Sequence, residues 1–266
     1  MAYRFLLEVP ESLAEAASIA VDAAGDTQVL VIRPSHGLGV DNPYLDMTVA
    51  AHSLRVVDLL FDWYETIGPS YVAESFHIAH AQDPHALLLL NEFGFETVNQ
   101  YGDQPGPRRR ATLQVLDRLL AQGVPVHGLG IQAHLLADRF AARFHPASYR
   151  RFLDEVADRG LKILITEMDV LDDGLPADVA VRDRGVADVY RRYLDVTLDH
   201  PAVKALITFG LSDRYTWLQE DLPREDGAAR RPLPFDEDLQ PKPAYHALAR
   251  SLRDAPWRRP LWPIRR

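Results

Sequence analysis

The stretch Leu161-Lys162-Ile163-Leu164-Ile165-Thr166-Glu167-Met168-Asp169-Val170 limits more than any other what this chain can fold into. Its apolar and β-branched residues run without alternation, the pattern of a strand buried on both faces in a parallel sheet. Glu167 and Asp169 close the run at i and i+2, so a strand carries both on one face. A lone carboxylate after such a run is usually a helix cap. Here a helix-like stretch, Tyr149 to Arg159, ends at Gly160 just upstream. The order helix, stop, buried strand, acid sets the acids at the mouth of a parallel sheet or barrel.

The rest of the chain repeats this order. Tyr3 to Val9 reads as a short strand, Glu11 to Ala24 as an Ala-rich helix closed by Gly25, and Gln28 to Arg33 as a second buried strand. Pro34 to Gly39 is a loop, and its neighbours Ser35 and His36 read as polar loop residues, without a phosphate-binding fingerprint around them. A helix is expected from about Asp46, with apolar Ala50, Leu54, Val57, Phe61 and Tyr64 on one face. Pro69 can start a helix that runs to about Ala81 and stops before Asp83-Pro84. Strand Ala86 to Leu90 ends in Asn91-Glu92, and helix Pro107 to Gln122 is closed by Gly123. Strand Val124 to Ile131 delivers Gln132 and His134 to one face. After the central strand come helix Val181 to Asp199, strand Val203 to Phe209, then Asp213, Tyr215 and Trp217. A proline-bounded loop, Pro232 to Pro243, leads to the last helix, Ala244 to Leu252, and a basic tail follows with Trp257 and Trp262. No internal repeat of solenoid length is visible.

Alternating strands and helices make the fold class α/β, a (β/α) barrel of the TIM type. Only six strand candidates are present, so the barrel is incomplete or remodelled in its N-terminal part. The organisation expected is a β-α-β-α segment over 1–66, β/α units over 67–254 and a tail over 255–266. An open sheet exposes unpaired backbone at its edges. Tyr3 to Val9 and Gln28 to Arg33 are therefore expected to join the same sheet, or a second copy of the chain, as a homo-oligomer, to cover the gap.

Strand ends gather Asn91, Glu92, Gln132, His134, Glu167, Asp169, Asp213, Tyr215 and Trp217 on one rim. Acids and amides beside aromatic rings suit a neutral, polyhydroxylated ligand, an oligosaccharide or polysaccharide. A net charge of −9, from 29 basic and 38 acidic residues, argues against nucleic acid as a partner. With no cysteine, disulfides and thiolate metal sites are excluded. No apolar run reaches membrane-span length and no secretory signal opens the chain, so no membrane partner and a cytoplasmic location are expected. A metal site built from His134, Glu167 and Asp169 competes with the sugar reading. No second histidine is placed to complete it, so neither metal nor cofactor is expected.

Five segments in order carry a resemblance: Leu87-Leu88-Leu89-Leu90-Asn91; Val126 to Leu135, with Gln132 and His134; Ile165-Thr166-Glu167-Met168-Asp169-Val170; Gly210 to Leu218; and Phe235 to Tyr245. Together with Trp63 to Pro69 and Tyr71 to Phe76, they resemble the second half of glycoside hydrolase family 10, the endo-β-1,4-xylanases, over about residues 63–252. The resemblance implies a retaining hydrolase of β-1,4-xylan or a related plant polysaccharide, from a family often secreted. It makes Glu167 the nucleophile, His134 its hydrogen-bonding partner and Asp169 the residue that orients His134. Asn91, Gln132, Phe209, Tyr215 and Trp217 would bind substrate. The family's acid/base motif, Trp-Asp-Val-Val-Asn-Glu, is absent; Val40-Asp41-Asn42-Pro43 is its nearest remnant and lacks the glutamate. Phe209 stands where the family usually has tryptophan. Glu92 is the candidate substitute acid. The alternatives to an impaired hydrolase are an inactive carbohydrate-binding relic and a scaffold half completed by a partner chain.

Overall fold

The computed structural model describes residues 29–34, 47–49, 68, 70–99, 102 and 104–258. Their contacts divide the chain into two units. The first takes the chain up to Glu92 with Arg110–Gly130, and the second takes Phe93–Arg109 with everything from Ile131 onward.

In the first unit, strand β1 (Val29–Pro34) runs parallel to β3 (Leu87–Glu92), with Val29 opposite Leu87 and Ile32 opposite Leu90. The strand expected at Gln28 to Arg33 does therefore add to the same sheet as the later strands. A short β2 (Met47–Val49) lies antiparallel to β1. This corrects the expected helix start near Asp46, since Met47-Thr48-Val49 takes a free edge of β1 instead of turning into a helix. The rest of that helix, the strand Tyr3 to Val9, the helix Glu11 to Ala24, and Ser35 and His36 lie outside the described residues.

Helix α1 (Tyr71–Gln82) buries Tyr71, Val72, Phe76 and Ala79, which share one helical face. It stops at Asp83, whose Oδ1 accepts the N–H groups of His85 and Ala86 and turns the chain into β3. Strand β3 is buried from Leu88 through Glu92, as a strand covered on both sides must be. Helix α2 (Pro105–Ala121) follows, and then β4 (Gly128–Ile131), which is shorter than the strand expected from Val124. The reason lies in His127. Its Nδ1 accepts the Leu88 N–H at 2.9 Å while its own N–H donates to the Leu88 carbonyl at 2.9 Å. A side chain here replaces part of a backbone ladder.

The second unit contains β5 (His134–Leu136), α3 (Ala137–Arg143), α4 (Pro146–Ala157), β6 (Lys162–Leu171), α5 (Val179–Thr197), β7 (Val203–Thr208), a 3-10 turn (Asp213–Tyr215), α6 (Leu218–Asp221) and α7 (Pro243–Asp254). Strand β6 lies between β5 and β7, parallel to both, and is buried from Ile163 to Leu171. Tyr149, Phe152, Tyr190 and Tyr193 fill the space between helices and sheet. The loop Pro232 to Pro243 adds a further short ladder. Phe235 bridges Ser212 in parallel and Pro241 in antiparallel fashion. In the tail, the Arg258 guanidinium donates to the carbonyls of Leu198, His200 and Val203 beyond the end of α5. Trp257 is 86% exposed. Among the described residues, no helix is long and apolar enough to cross a membrane.

Candidate active site

Strand β6 holds Glu167 and Asp169 on one face, and β5 sets His134 directly opposite Asp169 in parallel register. A break in the chain makes this pairing. Ala133 has φ 63°, a left-handed conformation that costs a non-glycine residue roughly 1–2 kcal/mol, and the chain restarts as β5 beyond it. The expectation that one strand carries Gln132 and His134 by alternation is corrected accordingly. The break is stitched to β6 at the acids themselves. Glu167 N–H donates to the Gln132 carbonyl at 3.0 Å, and Asp169 N–H to that of Ala133 at 3.3 Å. On its other side, the pairing of β6 with β7 slips between Ile165 and Met168. Irregularities of this kind re-aim side chains, and Glu167 lies inside this one.

The side chains form a relay. His134 Nδ1 lies 2.8 Å from Asp169 Oδ1, and Trp217 Nε1–H donates to Asp169 Oδ2 at 2.8 Å. His134 Nε2 is 3.4 Å from Glu167 Oε2. Phe209 and Trp217 approach the imidazole edge-on, with centroids 5.6 and 5.3 Å away. Burial on its own would lower the His134 pKa. The charge and hydrogen bond of Asp169, backed by Glu167, outweigh that and raise it to about 10. At neutral pH the ring is a cation between two acids. Both of its nitrogens then carry protons. Among the described residues no group of His, Asp and Glu converges as a metal set.

Not every residue expected at the rim joins this relay. Asp213 turns inward, accepting from Lys242 Nζ at 2.7 Å and from the Leu233 N–H at 2.9 Å. Tyr215 is 73% exposed, with the Arg214 guanidinium 6.0 Å from its ring centre. Gln132 is buried beside the break. In the first unit, Asn91 and Glu92 are buried at the end of β3. Asn91 lies across Gly130, where an added Cβ would stand 2.2 Å from its Oδ1. Gly130→Ala is therefore expected to cost about 1–3 kcal/mol through overpacking, read as a lower denaturation midpoint, with Asn91→Ala restoring part of it.

One acid of the second unit has no sequence signal beyond a glutamate in an otherwise apolar loop. Glu96 is buried, and burial raises its pKa against the opposing pull of its backbone hydrogen bonds, Arg109 and His134. Tyr193 Oη donates to its Oε1 at 3.5 Å, and Tyr193 meets Tyr149 at 2.9 Å. Arg109 fixes the loop from the other side by donating to the Phe95 carbonyl at 2.8 Å.

Consecutive β/α units with acids at strand ends define a protein of the (β/α)-barrel class. Residues 50–251 match the profile of glycosyl hydrolase family 10, and the chain belongs to that family. Endo-1,4-beta-xylanase B of Thermotoga neapolitana is 34% identical over 188 residues, which are 70% of this chain and 49% of that protein. Endo-1,4-beta-xylanase 5 of Pyricularia oryzae is 33% identical over 196 residues, 73% of this chain and 44% of that one. The crystal structure of native xylanase 10B from Thermotoga maritima superposes with a TM-score of 0.70 at 28% identity, covering 91% of this chain and 65% of that one. The chain thus spans about half the length of the curated relatives it matches.

Proposed function

We propose that the chain is a retaining glycosidase acting on β-1,4-xylan or a related plant polysaccharide, with Glu167 as nucleophile and a weakened proton-donating step. The observation that carries this reading is the relay itself. A carboxylate facing a cationic ring, which a buried aspartate and an indole N–H hold in place, suits attack on an anomeric carbon. Phe209 and Trp217 offer aromatic surface next to it, and a sugar ring packs well on such surface. The family's acid/base glutamate has no counterpart in the sequence, which makes the second carboxyl the open term. Glu92 is the first candidate, and Glu96, buried within electrostatic reach of His134, is the second.

The test compares xylan turnover, followed by reducing ends, in the wild type and in Glu167→Gln, alongside calorimetric binding of xylotriose. Turnover lost in Glu167→Gln with binding kept supports the reading. Binding without turnover in the wild type favours the carbohydrate-binding relic. Absence of both, with an intact fold, favours a scaffold completed by another chain.

A further inference from the structure

We propose that Lys242 and Asp213 form a latch that positions Trp217 on Asp169, so that the loop before α7 governs the geometry of the Glu167–His134–Asp169 relay. The latch is built almost entirely out of water. The side chains of Lys242 and Asp213 are 3% and 4% exposed. Lys242 Nζ donates to Asp213 Oδ2 at 2.7 Å and to the Arg231 carbonyl at 2.8 Å, and faces Asp183 Oδ1 at 3.7 Å. Asp183 is in turn held by Arg231 Nε and Nη2 at 2.7 and 2.8 Å. One ammonium group thereby ties together the 3-10 turn, the loop and α5.

The chain between latch and relay is short and locally braced. Asp213 opens the turn, Thr216 N–H returns to its carbonyl at 3.3 Å, and Trp217 follows at once. Ser212 Oγ accepts the Arg214 N–H, and Thr216 Oγ1 accepts that of Leu218. On the apolar side, Trp217 and Leu222 pack against Leu136, Leu171 and Leu218. That packing is non-directional and holds the indole in its neighbourhood without fixing its tilt. Directional restraints come from the bond to Asp169, the edge-on contacts with His134 and Phe209, the Glu220 and Asp221 N–H groups on the Trp217 carbonyl, and the latch four residues upstream. Lys242 and Asp213 are thus positioning residues, since neither touches the reacting carboxylate.

The latch also carries a pH dependence. Facing Asp213 are Lys242, Arg231, Tyr190 and the Leu233 N–H, and Asp183 faces Lys242 from its other side. Burial raises the Asp213 pKa to about 6 against the pull of Lys242. Tyr190, buried beside Asp169 and Asp213, is pushed well above its usual value and stays neutral. As pH falls through about 6, Asp213 takes up a proton and the ion pair becomes a weaker hydrogen bond. A carboxyl with a raised folded pKa does not lose folding stability on that proton uptake. The indole therefore loosens without global unfolding from this group.

The experiment uses the full chain labelled with 15N and follows the indole Nε1–H of Trp217, assigned by its loss in Trp217→Phe. The double variant Asp213→Asn with Lys242→Met keeps an acceptor for Leu233 and leaves no charge buried alone. It is expected to exchange that proton at least about 10-fold faster than wild type, with the exposed Trp257 indole unchanged and the fold intact. Lys242→Arg is expected to recover part of the protection, and the wild-type protection factor, taken against the intrinsic indole exchange rate at each pH, to fall below pH 6. Unchanged exchange in the folded double variant overturns the proposal. The functional consequence rests on the hydrolase reading, which labelling of Glu167 by an activated aryl xylobioside tests separately. Failure there leaves the indole measurement standing on its own.

Discussion

An aryl xylobioside whose phenol leaves readily is expected to load Glu167 covalently, while xylan itself is cleaved slowly. Expelling a sugar alkoxide needs a proton at the leaving oxygen, and losing that help costs on the order of 10² to 10⁴ in rate. A good phenolate leaving group needs almost none of it. The adduct then persists because its hydrolysis calls on the same missing group as a base. Mass spectrometry should show one xylobiosyl unit added to the peptide carrying Glu167, and nothing added in Glu167→Gln. Efficient turnover of polymeric xylan would instead reveal a working acid, with Glu92→Gln and then Glu96→Gln the variants to make. No adduct and no turnover in a folded protein would sink the nucleophile assignment.

The second large effect concerns Asp169. Its two oxygens hold His134 and Trp217, and its side chain is wholly buried. Asp169→Ala strands a buried cation and an indole N–H, and breaking such a pair from one side costs about 3–5 kcal/mol. Denaturant titration measures it. The pH profile supplies a companion signature. His134 is raised from its ordinary 6.5 to about 10, so the folded state holds that proton more tightly than the unfolded chain does. The resulting stability is complete below about pH 6.5 and is lost as pH climbs through about 10. The wild-type midpoint should fall over that alkaline range, and the fall should be much reduced in Asp169→Ala. An equally steep fall in the variant would show that His134 is not its source.

The parts of this arrangement open to reading from sequence are those with a local cause. Buried strands announce themselves as unbroken apolar runs, and the spacing of Glu167 and Asp169 fixes their common face. The pairing of His134 with Asp169 followed from both being aimed at one rim. Other features depend on partners distant in the chain. Asp213 looked like a rim acid until Lys242, 29 residues on, turned it inward. The left-handed Ala133 has no local signature, because glycine or asparagine is the usual mark of that conformation. His127 completing a strand with its ring, and Glu96 keeping a carboxyl in an apolar loop, are likewise decisions of packing. Met47-Thr48-Val49, where the helix was expected to begin, pairs along β1 instead.

Glu167, His134, Asp169, Phe209 and Trp217 all come from one of the two units, and their charges and hydrogen bonds satisfy one another there. The contacts that tie Glu167, His134, Asp169 and Trp217 together therefore use no residue from the other unit. On the proposed reading, the nucleophile stays paired with its histidine whichever carboxyl serves as the acid. On that reading a sugar-binding protein and a hydrolase can share this relay, and the placement of a second carboxyl separates them.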